Sequence, residues 1–239
     1  MTDIRAVFFD AGETLVYPHP SFVELFAEVL RDEGHPIEPA DLLELVHASS
    51  EAFTKLMLSD EAMHWSTSPE RSRALWDLVY RMFLAETDIP DTEHERLVEA
   101  LYQRFRRIES YRLHPDALPM LERLRTTDLT LGLISNFEDW LEQLLEELDV
   151  QRFFDVTVIS GIEGVEKPEK RIFDIALERA GVDAASSVYV GDNPIFDAQA
   201  AQDAGMIPVL IDRRGTHADS EFTRITSLED LPAAIGIQV

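Results

Sequence analysis

Hydrophobic positions along the chain follow two different rhythms. Ile4 to Phe9 (IRAVFF) is a short apolar run rich in strand formers, and it predicts a buried strand. The run stops at Asp10, and the following AGET contains a glycine suited to a turn. Pro18 and Pro20 close this segment. From Ser21 the spacing becomes helical: Phe22, Leu25, Phe26, Val29 and Leu30 share one face, and Gly34 ends the pattern. The same spacing predicts helices over roughly 39–60, 69–87 and 92–107, with no strand-like alternation between them.

Beyond His114-Pro115 helices and strands alternate. Helices are predicted at 115–126, 138–148, 169–180 and 194–204, and strands at 129–135, 156–160, 187–192 and 206–212. A last helix starts at Ser227, with Glu229 and Asp230 in its first turn, where the helix dipole favours them. Apolar, β-branched strands alternating with helices make a parallel sheet covered on both faces. The fold class is therefore α/β: a doubly wound, Rossmann-like core from residues 1–16 and 112–239, with an all-helical insert over 17–111. No internal repeat or low-complexity stretch is visible.

Composition narrows the function. The 239 residues carry 46 acidic and 21 basic side chains, a formal net charge of -25. A surface this negative repels nucleic-acid phosphates and anionic lipids, so neither is an expected partner. Any anionic substrate needs a local positive device at its site. Lysines are scarce, namely Lys55, Lys167 and Lys170. That balance suits a high-salt cytoplasm, and equally an acidic helical surface written with biased codons. Cysteine is absent, which removes disulfides, thiolate nucleophiles and zinc–thiolate sites. No apolar run approaches the ~18–20 residues that span a bilayer, and the first residues lack the pattern of a secretory signal. A cytoplasmic, small-molecule enzyme is the expectation.

Open parallel sheets bind ligands at the carboxyl ends of their strands. Asp10, the pair Ser135-Asn136, and Asp192 all sit where predicted strands end. Singly, each reads as a turn residue or a helix N-cap. Asp197 follows Asp192 by one helical start at Pro194, so the two carboxylates could hold a hard cation. Lys167 precedes Pro168 and is held extended, which aims its ammonium.

In this order and at these separations, FFDAGETL, LISN, EKPEKRIF and VGDNPIFD resemble the four signature motifs of the haloacid-dehalogenase-like hydrolases. The resemblance spans essentially the whole chain, with 17–111 as the inserted helical cap. It implies a magnesium-dependent hydrolase, with a phosphatase acting on a small phosphorylated metabolite as the leading reading. Asp10 would be the nucleophile, forming an aspartyl-phosphate. Mg2+ would be held by Asp10, the Gly12 carbonyl and Asp192. Ser135, Asn136 and backbone N–H groups of the following helix start would bind the phosphoryl oxygens. Lys167 would neutralise nucleophile and phosphate together, and Asp197 would orient Lys167 or metal-bound water.

One position departs from the pattern. Phosphatases of this family carry a second aspartate two residues after the nucleophile, as general acid and base, and here Gly12 stands there. Glu13 replaces it only if the turn redirects its side chain. Slow hydrolysis of alkyl phosphates is the consequence. Two alternatives share the nucleophile: a dehalogenase, or a phosphonate hydrolase using Lys55 as a Schiff base. A third is a phosphate-binding or regulatory protein with weak turnover. Lys55 itself fits an exposed helical lysine, and the aromatics Phe22, Phe26, Phe53, Trp65, Trp76, Tyr80 and Phe83 fit cap core.

Overall fold

The computed structural model describes residues 3–57, 59, 62 and 64–238. Its strands are β1 (Ala6–Phe9), β2 (Val16–Pro18), β3 (Tyr111–Leu113), β4 (Thr130–Ser135), β5 (Val156–Ile159), β6 (Ser187–Gly191), β7 (Ile207–Ile211) and β8 (Thr223–Ile225). Six of them form one sheet in the order β5-β4-β1-β6-β7-β8. Every pairing in it is parallel. The chain winds outward from β1 in both directions, so β1 lies at the topological switch point between β4 and β6.

All four side chains of β1 are fully buried, as a strand covered on both faces requires. On one face Phe8, Ile134, Val158, Phe173 and Tyr189 form a single cluster with Ala200, Ala201 and Ala204. The helix Lys170–Ala180 packs on β4 and β5 and brings Phe173 into that cluster. Burying a phenylalanine contributes about 1.5–3 kcal/mol. Gly132 in β4 belongs to the same packing, since a Cβ there would overlap the Phe8 ring. Burial and parallel register together fix the heights at which β1, β4 and β6 end.

The contacts divide the chain into Met1–Val16 with Leu113–Val239, and Tyr17–Arg112. The division falls in a two-stranded ribbon of β2 and β3. Within Tyr17–Arg112 the described α-helices are Phe22–Asp32, Pro39–Ala48, Ser50–Met57, Pro69–Ala85 and Asp91–Phe105. Ser21 and Ser68 cap two of them by accepting from Glu24 N and Arg71 N. This unit has its own core, in which Leu25, Phe26, Leu30, Tyr80, Phe83, Leu97 and Leu101 are buried. Phe22, Phe53, Trp65 and Trp76 pack against it, partly buried. Lys55 is exposed. Among the described residues no helix is long and apolar enough to cross a membrane.

Several boundaries differ from the sequence expectation. The helix expected over 39–60 breaks at Ser49. The one expected over 138–148 begins only at Leu141, after a non-helical stretch. The one expected over 194–204 opens as a π-helix, Pro194–Gln199, before a short α-helix. Strand β8 and the β2–β3 ribbon, three residues per strand, were not anticipated. Such short strands have too few positions to show a period.

Candidate active site

Asp10, Ser135 and Asp192 lie at or just beyond the carboxyl ends of β1, β4 and β6, three adjacent strands. Asp10 N donates to Val190 O at 2.8 Å, fixing the nucleophile candidate against β6 as the ladder ends. Ser135 Oγ donates to Asp10 Oδ1 at 3.0 Å. Lys167 arrives from the loop after β5, and the Asn136 carboxamide holds its backbone at both ends. Lys167 N donates to Asn136 Oδ1 at 2.7 Å, and Asn136 Nδ2 donates to Lys167 O at 2.8 Å.

The Lys167 ammonium is only 3% exposed, and each of its three hydrogens has an acceptor. These are Asp10 Oδ1 at 2.8 Å, Asp197 Oδ1 at 2.6 Å and the Tyr189 hydroxyl at 2.9 Å. The Tyr189 hydroxyl proton has Ile134 O at 2.9 Å and Asp197 Oδ1 at 3.1 Å as acceptors. Asp197 Oδ2 accepts from Asn193 N at 2.9 Å. One oxygen of Asp10 is therefore tied down by Ser135 and Lys167. Its other oxygen, Oδ2, accepts no hydrogen bond among the described residues.

Electrostatics in this cluster are unbalanced. Burial pushes the Asp10 carboxyl up to about 6; the Lys167 charge pulls it down, and Asp197 adds to the rise. Burial would lower Lys167, but the charges of Asp10 and Asp197 outweigh it and hold the ammonium above its usual range. Asp192 is raised well above the carboxylate range by burial, then by Asp197 and Asp10. Three carboxylates thus face one ammonium, so positive charge is in short supply.

That shortage gives a test for a metal. Asp10, Asp192 and Asp197 each offer a carboxylate oxygen, and those oxygens lie within 4.8 Å of one another. All-oxygen, anionic ligands suit a hard divalent cation such as Mg2+. Both oxygens of Asp197 are already used by Lys167, Tyr189 and Asn193, which leaves Asp10 and Asp192 as the better-placed direct ligands. The residues present therefore fit such an ion.

Two contributors, Tyr189 and Gly191, escaped the sequence reading. Tyr189 looked like one more apolar strand position, yet it is the third partner of Lys167. Gly191 has no room for a side chain, because a Cβ would overlap the Asp197 carboxyl group. Its signal was the glycine directly before Asp192. Asn136 spends its carboxamide on the Lys167 backbone, whereas the sequence suggested a ligand for substrate. The helix start expected just after Ser135 is displaced to Leu141. Phe137 is tied sideways instead: its N–H donates to Ser160 Oγ at 2.9 Å and its carbonyl accepts from Gly161 N at 3.0 Å. Glu13 takes a left-handed backbone, φ 55°, and its carboxylate accepts from Arg214 at 2.7 Å.

A doubly wound parallel sheet with its acidic, lysine-bearing cluster at the switch point defines a class of α/β hydrolases. Residues 4–205 match the family model of the haloacid dehalogenase-like hydrolases, and the chain belongs to that family. It is 27% identical to haloacid dehalogenase-like hydrolase domain-containing protein 3 of Danio rerio, over 97% of this chain and 96% of that one. It is 32% identical to the glyceraldehyde 3-phosphate phosphatase of Methanopyrus kandleri, covering 91% of this chain and 88% of the relative. Among solved structures, the magnesium-bound HAD-hydrolase YfnB of Bacillus subtilis matches with a TM-score of 0.74. That likeness covers 98% of this chain and 99% of YfnB at 19% identity, a likeness of fold. The protein is a hydrolase of this family.

Proposed function

We propose that the protein is a magnesium-dependent phosphatase of small phosphorylated metabolites, working through a phosphorylated Asp10. The observation that carries this reading is the asymmetry of the Asp10 carboxylate. Ser135 and Lys167 fix Oδ1, while Oδ2 accepts nothing among the described residues and is the oxygen available to attack. Support also comes from the phosphatase relative, 32% identical over most of both chains.

In the first step Asp10 Oδ2 bonds to phosphorus and the phosphorus–oxygen bond to the leaving group breaks, the departing alkoxide taking its proton from solvent water. In the second, water attacks the aspartyl-phosphate, releasing phosphate and restoring Asp10. Asp10, the Gly12 carbonyl and Asp192 would hold Mg2+, which would supply charge neutralisation for an anionic nucleophile meeting a phosphate dianion. Lys167 keeps Asp10 oriented and its charge compensated. Donating to a phosphoryl oxygen as well requires it to release one of its three present partners. Ser135 can turn its hydroxyl from Asp10 to a phosphoryl oxygen at the same height. Asp197 and Tyr189 position the lysine and touch no substrate atom.

Set against the dehalogenase alternative, three buried or half-buried carboxylates around one lysine favour cation-assisted chemistry. The test is turnover of a panel of phosphate esters, with and without a chelator, by the unmodified protein and Asp10→Asn. Hydrolysis should need the divalent cation and vanish in the variant, with a hydroxylamine-sensitive acyl phosphate trapped only in the unmodified protein. Equal activity in Asp10→Asn removes the reading.

A further inference from the structure

We propose that Arg214 and the pocket it lines form a recognition subsite for a carboxylate on the substrate's leaving group. The inference rests on the phosphatase reading and adds the substrate class to it. A cavity of about 160 Å3 lies in the α/β unit beyond β7, lined by Asp192, Glu13, Arg213, Arg214 and His217 among others. Asp192 lines this cavity and also belongs to the acidic cluster, so the two adjoin through that residue.

Two guanidinium groups line the cavity, and they are in different states. Arg213 is spent on structure: it holds Asp116 through two nitrogens at 2.8 and 2.9 Å and donates to the carbonyls of Glu13 and Thr14. Arg214 has a single partner among the described residues, Glu13 Oε2 at 2.7 Å, and its side chain is 72% exposed. It keeps most of its five donors for something else.

The backbone beneath Arg214 is firmly held. Buried Asp212 accepts from Thr216 N at 2.9 Å, His217 N at 3.0 Å and Arg224 at 2.9 Å, which pins the turn at both ends. Arg213 staples the next position to the loop that follows the nucleophile. Arg214 is therefore presented from a hydrogen-bonded base, with its own side chain largely in solvent.

The present occupant of the guanidinium names the ligand chemistry. Glu13 is a carboxylate, carried on a left-handed residue that points it at Arg214. An exposed ion pair of this kind is weak, because water screens it. A substrate carboxylate making a two-pronged, charge-assisted contact can displace Glu13 at little cost. The arrangement also answers the electrostatic problem posed by the net charge of -25, because it sets a cation with spare donors beside an acidic pocket.

The experiment compares 2-phosphoglycolate with 2-hydroxyethyl phosphate, which lacks the carboxylate. The ratio of their kcat/KM values is measured in the unmodified protein, Arg214→Gln and Glu13→Gln. Arg214→Gln should lower the ratio about tenfold through KM, and Glu13→Gln, which frees the guanidinium, should raise it. A ratio in Arg214→Gln within twofold of the original overturns the proposal. A second arm reads binding alone: titration of 2-phosphoglycolate into Asp10→Asn, with and without Arg214→Gln. Equal affinities there overturn the subsite whatever the fate of the phosphatase reading. Loss of turnover on every phosphate ester, with the affinity difference intact, would remove that reading and leave the subsite standing.

Discussion

Replacing Gly12 by aspartate would place a carboxyl group two residues after Asp10, where the proposed reaction can use an acid–base group, and the local structure allows it. A Cβ at Gly12 meets no atom within 4 Å, and its backbone lies outside the left-handed region. Steric strain should therefore be negligible. The main cost is electrostatic, since a fourth carboxylate joins Asp10, Asp192 and Asp197 around one ammonium. Without a divalent cation the variant should lose stability, and the new group should tend to stay protonated, the form a general acid needs. General acid–base assistance is typically worth about 10²–10⁴ in rate, or roughly 3–5 kcal/mol of barrier. The gain should depend on the leaving group. Alkyl phosphates, whose alkoxide needs a proton, should gain at least about a hundredfold in kcat. Aryl and acyl phosphates, whose leaving groups depart unprotonated, should change little. Steady-state kinetics over leaving groups of graded basicity measure this directly, at saturating magnesium and with the fold checked by circular dichroism. A folded Gly12→Asp that keeps its aryl phosphatase rate and gains nothing on alkyl esters would refute the reasoning.

Other outcomes follow from the same cluster. Lys167→Met removes the ammonium that compensates Asp10 and Asp197, and breaking a buried pair costs about 3–5 kcal/mol; a loss below 1 kcal/mol in denaturant titrations without metal would contradict the burial argument. Mg2+ should stabilise the protein by about 2.7 kcal/mol at a hundredfold excess over Kd. Asp192→Asn should lose most of that stabilisation, read by thermal unfolding with and without the ion. His114 is lowered to about 4, chiefly by burial and then by the Arg213 charge. Its neutral ring therefore favours the folded state above about 6.5, and that contribution drains away as the pH falls from 6.5 to 4. Solvent screening of a half-buried ring keeps the loss well below the figure of about 1.4 kcal/mol per pH unit for a fully buried group, and the difference in stability between the unmodified protein and His114→Gln should trace that window.

Much of the fold was legible because its periods were long and clean. The five strands expected for the core all appear in its sheet, from the run at Ile4–Phe9 onward. The residues at their ends, Asp10 and Ser135 among them, are brought together by the parallel register alone. Lateral relations were not legible. Asn136 gave every sign of opening a helix, and only the approach of the Lys167 loop, 31 positions later, takes up its carboxamide. Tyr189 alternates correctly as a core residue, and its hydroxyl matters only because Lys167 and Asp197 converge on it. Local spacing encodes strand and helix, but the partner of a polar group depends on contacts distant in sequence.

The β2–β3 ribbon has a consequence for the history of such a chain. Residues 17 and 112 leave and rejoin the sheet-bearing unit through neighbouring strands, and His19 N already bonds to Ser110 O at 2.7 Å. The excursion between them is a loop whose neck is sewn shut, so doubling its length adds only about 0.6 kcal/mol of closure entropy. Evolution can lengthen, shorten or exchange everything beyond that neck while the strand bearing Asp10 keeps its place.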